Sequence, residues 1–486
     1  MEETGDHGAA IAKAGCPMSL DTSITEILTL DLPAAFERFG ETLDPQWVEE
    51  ALQQTGTATI RRRKLTTETI VWLVIGMALF RDRSIQEVVS HLGLAWPAQK
   101  EGTTKGSKKV APSAIPQGRY RVGAAPIELI FSRTAERWGL AAANASRWRG
   151  LSLFGVDGTT LRIQDTESNR EAFGLPPSGR AQSGYPQVRL VALMALRSHM
   201  IVGASFGPCR GKQTGEQTLA KELWPQVPEQ SLVINDRGFL DYGQFYSLSH
   251  ESSYSVSGKR HWLVRAKKNL RWKTLKVLGE GDDLVELNIS SAARKRNPDL
   301  PTKMVARAIR YQIKGCRPQT LLTSLVDAEQ YPALEVAELY HERWEIELGY
   351  DELKTHMLER QEALRSKKPE GVRQEIWGIL LTYNLVRKEM LQVAVAAGVD
   401  PLRVSFRHCL QLIRVFCMVE AWTCAPGNIP KRLSSHLEMM ESLLILPPRR
   451  SEREYERHVK IKMSGYKRNP GRPESKRSQS HGKSAN

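Results

Sequence analysis

The chain has 486 residues, of which 41% are hydrophobic and 25% charged, and this length suffices for roughly two to four folded domains. Lys and Arg outnumber Asp and Glu by 69 to 54, a net charge of +15, which indicates a polyanionic partner, either nucleic acid or an anionic membrane surface. The apolar runs at 69–80 and 376–386 have about a dozen residues, too few to span a bilayer, and no secretory signal opens the chain. We therefore expect a cytoplasmic, nucleoid-associated protein that needs no membrane. The six cysteines form no CxxC pair, which argues against a zinc ribbon or a disulfide framework.

The N-terminal part of the chain has the pattern of a helical domain. Residues 1–22 are predicted to be disordered, and the helical periodicity extends over 23–96. Thr66 is placed to cap a helix at 67–80, and Ser84 with Glu87 forms a capping box for a second helix at 85–92. A basic run precedes this pair and is the candidate for binding a DNA end: Arg61, Arg62, Arg63 and Lys64. The pair is either a helix-turn-helix that reads DNA or an ordinary helical hairpin, and the sequence leaves both open.

Residues 97–118 are rich in Gly, Ser, Pro and Lys and are predicted to be a linker. Beyond it, a strand-like run ends on Asp157, directly before Gly158, and a short buried strand ends on Asp236. Between them, 187–196 and 200–206 are predicted to form a β-hairpin. A carboxylate at the end of a buried strand protrudes into the crevice where α/β sheets bind ligands. Each Asp alone is weak evidence, because Asp before Gly more often forms a turn.

The second half of the chain is predicted to be an antiparallel β-rich insertion followed by helices. Strand-like runs alternate with basic turns over 258–330, and Pro332 opens a long helix. Apolar helices at 376–396 and 404–422 are expected to pack on the core. The residues from 449 to 486 hold twelve Lys or Arg against four Glu, which predicts a flexible basic tail that adds salt-dependent DNA affinity.

The long helix carries the most informative pattern of the chain. At about 100° per residue, four of its side chains lie in a stripe about 60° wide: Tyr340, Arg343, Glu347 and Lys354. Glu345 points away from this stripe, so Glu347 is the better candidate metal ligand. Four apolar residues are expected to pack the helix: Trp344, Ile346, Leu348 and Leu353. The alternative is a solvated, charged helix without a ligand.

Three carboxylates can stay ionised close together only when a cation neutralises them. Oxygen ligands with water in the remaining positions are what Mg²⁺ and Mn²⁺ prefer. Two such ions about 3.5–4 Å apart assist phosphoryl transfer. Asp157, Asp236 and Glu347 are therefore the candidate catalytic and metal-binding residues.

The order Asp157, Asp236, Glu347, with Tyr340-x2-Arg343-x3-Glu347-x6-Lys354, resembles the DDE transposases of the bacterial insertion-sequence IS-four group and their YREK signature. The resemblance extends over most of the chain, including the INDRGF and RHWLVRAKK segments. It implies an α/β protein with an RNase H-like catalytic core, a β-rich insertion and a helical N-terminal DNA-binding domain. The remaining divisions are 119–257 for the first part of the core, 258–330 for the insertion, 331–400 for the rest of the core and 401–448 for C-terminal helices.

The resemblance also implies the chemistry. Asp157, Asp236 and Glu347 would bind Mg²⁺, for which Mn²⁺ can substitute, and Tyr340, Arg343 and Lys354 would contact DNA phosphates. The protein would cut double-stranded DNA at the terminal inverted repeats of its element and join the ends to target DNA, as a homodimer in the synaptic complex. Two alternatives are a DNA nuclease without strand transfer and a catalytically inactive DNA-binding regulator.

One segment departs from the relatives that cut through a hairpin. In those relatives an aromatic residue before an LLLTS-like strand stacks on a flipped base, whereas Gln319 and Thr320 stand there in this chain. Trp262 and Trp272 are the candidates to replace it, because basic residues surround them. The alternative, that both tryptophans are structural, remains open.

Overall fold

The computed structural model describes residues 43–58, 65–91, 111–176, 184–212, 214–250, 260–312, 317–359, 363–423 and 444–446. Its centre is one sheet of nine strands in the order β3-β2-β1-β4-β5-β9-β8-β7-β6. The strands are β1 Ser152–Arg162, β2 Gln187–Ala195, β3 Met200–Pro208, β4 Ser231–Asn235, β5 Arg260–Arg265, β6 Lys273–Gly279, β7 Asp282–Asn288, β8 Lys303–Tyr311 and β9 Gln319–Thr323.

The first five strands form the core half of the sheet. β1, β2 and β3 pair antiparallel, while β1, β4 and β5 run parallel to one another. All five residues of β4 are buried, as expected for a strand covered on both faces by other elements. This arrangement is the RNase H-like fold, so the predicted fold class is confirmed.

The last four strands continue the same sheet rather than forming a separate one. β9 pairs antiparallel with β5, and β8, β7 and β6 follow as an antiparallel meander. The predicted β-rich insertion is therefore present. Its predicted start at residue 258 is wrong, because β5 pairs parallel with β4 and belongs to the core. The sequence of residues 260–265 does not indicate whether the neighbouring strand β4 runs parallel or antiparallel to β5.

Helices cover the sheet and form the N-terminal region. In chain order they are α1 Pro45–Gln54, α2 Thr67–Leu79, α3 Ile85–His91, α4 Ala114–Val122, α5 Ala125–Thr134, α6 Leu140–Ala145, α7 Glu167–Phe173, α8 Glu216–Ala220, α9 Tyr242–His250, α10 Ser291–Arg296, α11 Ala333–Leu339, α12 Trp344–Asp351, α13 Pro369–Ala397 and α14 Phe406–Thr423. α13 is buried along most of its length, because the N-terminal helices pack on it. None of the helices described is long and apolar enough to cross a membrane.

The predicted caps of the N-terminal helix pair are confirmed. Thr66 accepts a hydrogen bond from the backbone of Thr69, and the reciprocal bonds between Ser84 and Glu87 form the capping box. However, α2 is buried on nearly every side, and the exposed side chains described on α3 are Gln86 and Glu87. The structure therefore favours the helical hairpin over a helix-turn-helix that reads DNA.

The other predicted segments are described by the structure only in part or not at all. The predicted linker is wrong at its end, because residues 114–118 belong to α4. In that helix Gly118 lies so close to Ile70 of α2 that a Cβ would meet its Cδ1 at 2.8 Å, so this glycine serves helix packing rather than flexibility. The N-terminal segment 1–22, the basic run 61–64 and the tail 449–486 lie outside the described residues.

Candidate active site

Asp157 and Asp236 lie side by side where β1 and β4 stop pairing. The last pair of the parallel ladder is Val156 with Asn235, so the two aspartates are the next residues at the same level of the sheet. Neighbouring strands are about 4.8 Å apart, so the two aspartates are adjacent where the parallel pairing of β1 with β4 ends. The prediction that the strand ends at Asp157 is wrong, since β1 continues to Arg162 by pairing with β2 alone.

The carboxyl of Asp157 is held in a partly desolvated, acidic environment. Burial raises the pKa of Asp157 to about 6, and the neighbouring Asp236 and Glu216 act in the same direction. The backbone N–H of Gly158 donates to its Oδ1 at 2.8 Å, and the Arg343 guanidinium also favours the charged form. Asp236 caps the turn that follows β4 by accepting from the backbone N–H of Gly238.

The third carboxylate comes from a helical segment that is less regular than the sequence suggests. It consists of α11, a 3₁₀ turn at Tyr340–Arg343, α12 and a π-helical segment at Glu352–Met357. We call these four parts together the Glu347 helix. The predicted stripe assumed an α-helix throughout. The 3₁₀ and π segments change these angles. Arg343 and Lys354 are nevertheless directed towards β1, and Glu347 is paired with Arg343.

Arg343 connects Glu347 with Asp157. Its Nη1 donates to Glu347 Oε1 at 2.8 Å, and the same guanidinium lies close enough to Asp157 to lower the pKa of that carboxyl. The guanidinium also lies over the ring of Trp344, 4.8 Å from its centroid. Arg343 therefore supplies the positive charge between two of the three candidate ligands.

Tyr340 and Lys354 lie on either side of this centre. Tyr340 is buried near Asp236, and burial raises the pKa of its hydroxyl to about 12. Lys354 is half-buried, and its Nζ donates to Oγ1 of Thr159 on β1 at 3.1 Å. Burial lowers the pKa of Lys354, and the nearby Arg162 adds to this effect. Both residues thus line the face of the sheet that carries the aspartates.

The opposite side of the Glu347 helix has a different role. Glu345 points away as predicted and contacts Nε2 of the buried His199 at 3.0 Å. Ile346 and Leu353 are buried, but Trp344 is 55% and Leu348 48% exposed. The prediction that these two residues pack the helix is therefore wrong, because only one face of the helix meets the sheet.

Two residues near the site were missed by the sequence analysis. Glu216 lies against Gly158 so closely that a Cβ there would be 2.4 Å from its carboxyl carbon. The hydroxyl of Tyr350 donates to the Asp157 carbonyl at 2.6 Å. On an ideal helix Tyr350 lies about 20° outside the stripe, so a slightly wider stripe would have included it. Glu216, at the start of α8, has no such periodic signal in the sequence.

The donor chemistry of the site fits a divalent metal, although the carboxylates are not gathered around one point. Within the described ranges, no three His, Cys, Asp or Glu side chains lie close enough together to hold an ion. Asp157, Asp236 and Glu347 nevertheless offer only oxygen donors, the type that Mg²⁺ and Mn²⁺ prefer. Burial and the nearby Asp236 and Glu216 raise the pKa of Asp157, so a negative charge on its carboxyl is disfavoured unless it is neutralised.

The two candidate tryptophans differ in how far they are buried. Trp262 is 0% exposed and stacks on Phe245 with ring centroids 4.7 Å apart, so the prediction that it stacks on a DNA base is wrong. The strand alternation of β5 turns its ring inward, against α9. Trp272 is only partly buried, directly before β6.

Comparison with known proteins identifies the family. The model of the insertion element 4 transposase N-terminal domain matches residues 33–132, and that of the transposase DDE domain matches 148–385. Transposase InsG for insertion sequence element IS4, from Escherichia coli (strain K12), is 37% identical over 90% of this chain and 94% of InsG. The putative transposase InsZ of the same organism is 33% identical over 49% of this chain and 74% of InsZ.

Among solved structures, a piggyBac transposase synaptic complex with hairpin DNA aligns over 87% of each chain with 12% identity and a TM-score of 0.40, too low to carry an argument. The assignment rests on the sequence matches, which include both domains and nearly all of InsG. Enzymes with the DDE domain cleave and join DNA and typically use a divalent metal. The chain belongs to the IS4 family of DDE transposases.

Proposed function

We propose that this transposase cuts DNA at the terminal inverted repeats of its own insertion element and joins the released ends to target DNA by a cut-and-paste route. The observation that carries the proposal is the placement of Asp157 and Asp236 at one level of adjacent strands, with Arg343 reaching from the Glu347 helix to Glu347 and Asp157. It acts on DNA in the cytoplasm, as part of the nucleoid.

Asp157, Asp236 and Glu347 hold Mg²⁺, for which Mn²⁺ can substitute. The metal supplies the Lewis acidity that assists attack on a phosphodiester and departure of the leaving oxygen. The partial burial of Asp157 limits the access of water to the site, so charges within it interact more strongly than at the surface.

Tyr340, Arg343 and Lys354 bind the phosphates next to the cut. Arg343 suits this role because a guanidinium can donate two parallel hydrogen bonds to a phosphate, whereas Lys354 acts as a point charge. Binding of DNA would exchange their present contacts with Glu347 and Thr159 for phosphate oxygens. Trp272 is the remaining candidate for stacking on a flipped base in a hairpin step, and stacking of this kind contributes about 1–3 kcal/mol per base.

The wider DNA contacts complete the proposal. The run Arg61, Arg62, Arg63 and Lys64 binds the element end through its phosphates, and the basic tail adds affinity that falls with salt. Two ends must be held together before transfer, so two protomers assemble as a homodimer on them.

The test uses an end-labelled duplex carrying the element's terminal repeat, with purified protein and Mg²⁺. We expect nicking at the repeat boundary, followed by joined product when target DNA is added. Glu347→Gln should lower the nicking rate by at least about a hundredfold, since it removes a charged ligand that acts directly on the reaction. Chelation of the metal should abolish nicking.

Glu338→Gln is the matched control, because Glu338 is exposed on the same helical segment and should leave the rate unchanged. Nicked DNA without joined product would support a nuclease instead of strand transfer. Specific binding without nicking under any metal condition would support a DNA-binding regulator.

A further inference from the structure

The hydroxyl of Tyr350 joins two strands at the level of Asp157. Asp157 and Ala192 are directly opposite each other in the β1–β2 register. The Tyr350 hydroxyl donates to the Asp157 carbonyl at 2.6 Å and accepts from the Ala192 backbone N–H at 3.1 Å. The Tyr350 side chain is buried, and the hydrogen bond from Ala192 is fully buried, so loss of the hydroxyl would leave a buried backbone N–H without its partner.

The same tyrosine lies on the helix that carries Glu347. Glu347 lies about one helical turn before Tyr350 on the same helical segment. The Tyr350 hydroxyl therefore connects the segment that carries Glu347 to the backbone of β1 at Asp157 and to the backbone of β2 at Ala192.

Gly349 allows the close approach that these bonds require. A Cβ at this position would lie 2.5 Å from Cε of Met194 on β2, so only glycine fits without displacing the methionine. Gly349 and the Tyr350 hydroxyl therefore both lie where the Glu347 helix packs closely on β1 and β2.

Phosphoryl transfer is sensitive to the distance between the Glu347 helix and the sheet. Misplacement of a reacting group by about 1 Å can cost about a hundredfold in rate, and sites of this kind tolerate deviations of about 0.5 Å. Because the hydroxyl is directed at backbone atoms, it does not reach a substrate and can act only through the residues it holds.

We propose that Tyr350 is a positioning residue that holds the Glu347 helix against β1 at the level of Asp157, the placement from which the Asp157 and Glu347 carboxylates would bind metal. This inference rests on the proposed function of the site. It predicts that the hydroxyl matters for metal affinity and for the rate of cutting, but not for DNA affinity.

The test is Tyr350→Phe, which keeps the ring and removes only the hydroxyl. Nicking is measured under single-turnover conditions at increasing Mg²⁺, Mn²⁺ binding by electron paramagnetic resonance, and affinity for the repeat duplex without divalent metal. We expect a nicking rate lower by about tenfold to a hundredfold, a higher half-saturating Mg²⁺ concentration, weaker Mn²⁺ binding and unchanged DNA affinity.

Asn384→Leu is the matched control for lost stability. Asn384 makes an equivalent bridge from α13 to both backbone groups of Ile201 on β3, away from Asp157. It should lower the melting temperature at least as much as Tyr350→Phe, yet keep wild-type metal dependence when both are assayed well below their transitions.

Three results would overturn the inference. Wild-type nicking and Mn²⁺ binding in Tyr350→Phe would show that the hydroxyl is not needed. Parallel losses in both variants, in proportion to their melting temperatures, would reduce the effect to stability. If the wild-type protein itself neither bound Mn²⁺ nor nicked the repeat, the proposed function would fail first and the positioning role with it.

Discussion

At the scale of single residues, the contact of Lys354 with Thr159 suits the phosphate-binding role that we propose for this lysine. The Lys354 side chain is half-buried beside β1, and its Nζ donates a hydrogen bond to a neutral hydroxyl rather than to a carboxylate. A carboxylate partner would compete strongly with DNA, whereas a hydroxyl gives way to a phosphate at little cost. Lys354 thus has few conformations to lose when DNA arrives.

We expect Lys354→Met to remove one phosphate contact. The logarithm of the binding constant for the repeat duplex should then fall less steeply with the logarithm of salt, by about 0.9 in slope. The measurement is a salt titration of binding without divalent metal. Lys303→Met is the control, because Lys303 lies on β8 and is paired with Glu286 at 2.9 Å. Equal slopes for wild type and Lys354→Met would contradict the assigned role.

The sequence predicted those site residues whose signal is local. The spacing predicted one helix face for Tyr340, Arg343, Glu347 and Lys354, because a helix repeats every few residues. It did not reveal Glu216, which reaches Asp157 only because Gly158 leaves space for it. Such a contact depends on the docking of α8 against β1, and no periodic pattern encodes it.

At the scale of elements, a buried arginine joins the β-rich insertion to the start of the Glu347 helix. Arg307 of β8 is 0% exposed and donates to both carboxylate oxygens of Asp282 on β7, at 2.7 and 2.6 Å. Its Nη1 also donates to the carbonyls of Leu325 and Tyr331, just before α11. One side chain therefore ties two insertion strands to the loop that leads into the Glu347 helix.

We expect Arg307→Lys to lower the free energy of unfolding by about 3 kcal/mol. A lysine ammonium cannot replace both the buried bidentate ion pair with Asp282 and the hydrogen bonds to the carbonyls. Urea unfolding measures the change. Arg310→Lys is the control on the same strand, since Arg310 also pairs with an aspartate of β7 but is 58% exposed. That change should cost less than about 1 kcal/mol. Equal costs for the two variants would refute the linking role of Arg307.

The strand alternation predicted the elements of the insertion but not this arginine. Side chains two residues apart on a strand point to the same face, so Arg307 would be expected on the solvent side together with the exposed Val305. It is buried instead because the loop at 325–331 covers it. The direction of β5 was missed for a related reason, since parallel pairing with β4 is a long-range property that the residues of β5 do not show.

At the scale of the whole molecule, the N-terminal helices and the RNase H-like core meet around one buried carboxylate. Glu375 of α13 accepts from Arg81, which follows α2, at 2.5 Å, and from Ser366 and the backbone of Arg365. Arg119 of α4 bonds to the neighbouring Gln374. The two matched domains, 33–132 and 148–385, therefore share a charged, hydrogen-bonded contact.

The pKa of Glu375 gives this contact a pH dependence. Burial alone would raise it, but Arg81, Arg119 and the hydrogen bonds of Ser366 outweigh burial and lower the pKa below its ordinary value of 4.5. A carboxyl whose pKa is lower in the folded state stabilises that state above its unfolded pKa. The stabilisation is therefore complete at neutral pH and is lost as the pH falls through the folded value.

We expect Glu375→Gln to destabilise the protein at pH 7 by about 3–5 kcal/mol, because it leaves Arg81 buried without its counter-charge. The difference from wild type should shrink below about pH 4.5, where the wild-type carboxyl gains its proton. Urea unfolding at pH 7 and below about pH 4.5 measures the difference in the free energy of unfolding between variant and wild type. Hydrogen exchange in α2 shows whether the lost stability is localised at the contact between the two domains. Glu370→Gln is the control, because Glu370 lies exposed on the same helix and accepts from the backbone of Ala124, which a glutamine can also do. A pH-independent difference, or an equal loss in the control, would show that the charge of Glu375 does not hold the two domains together.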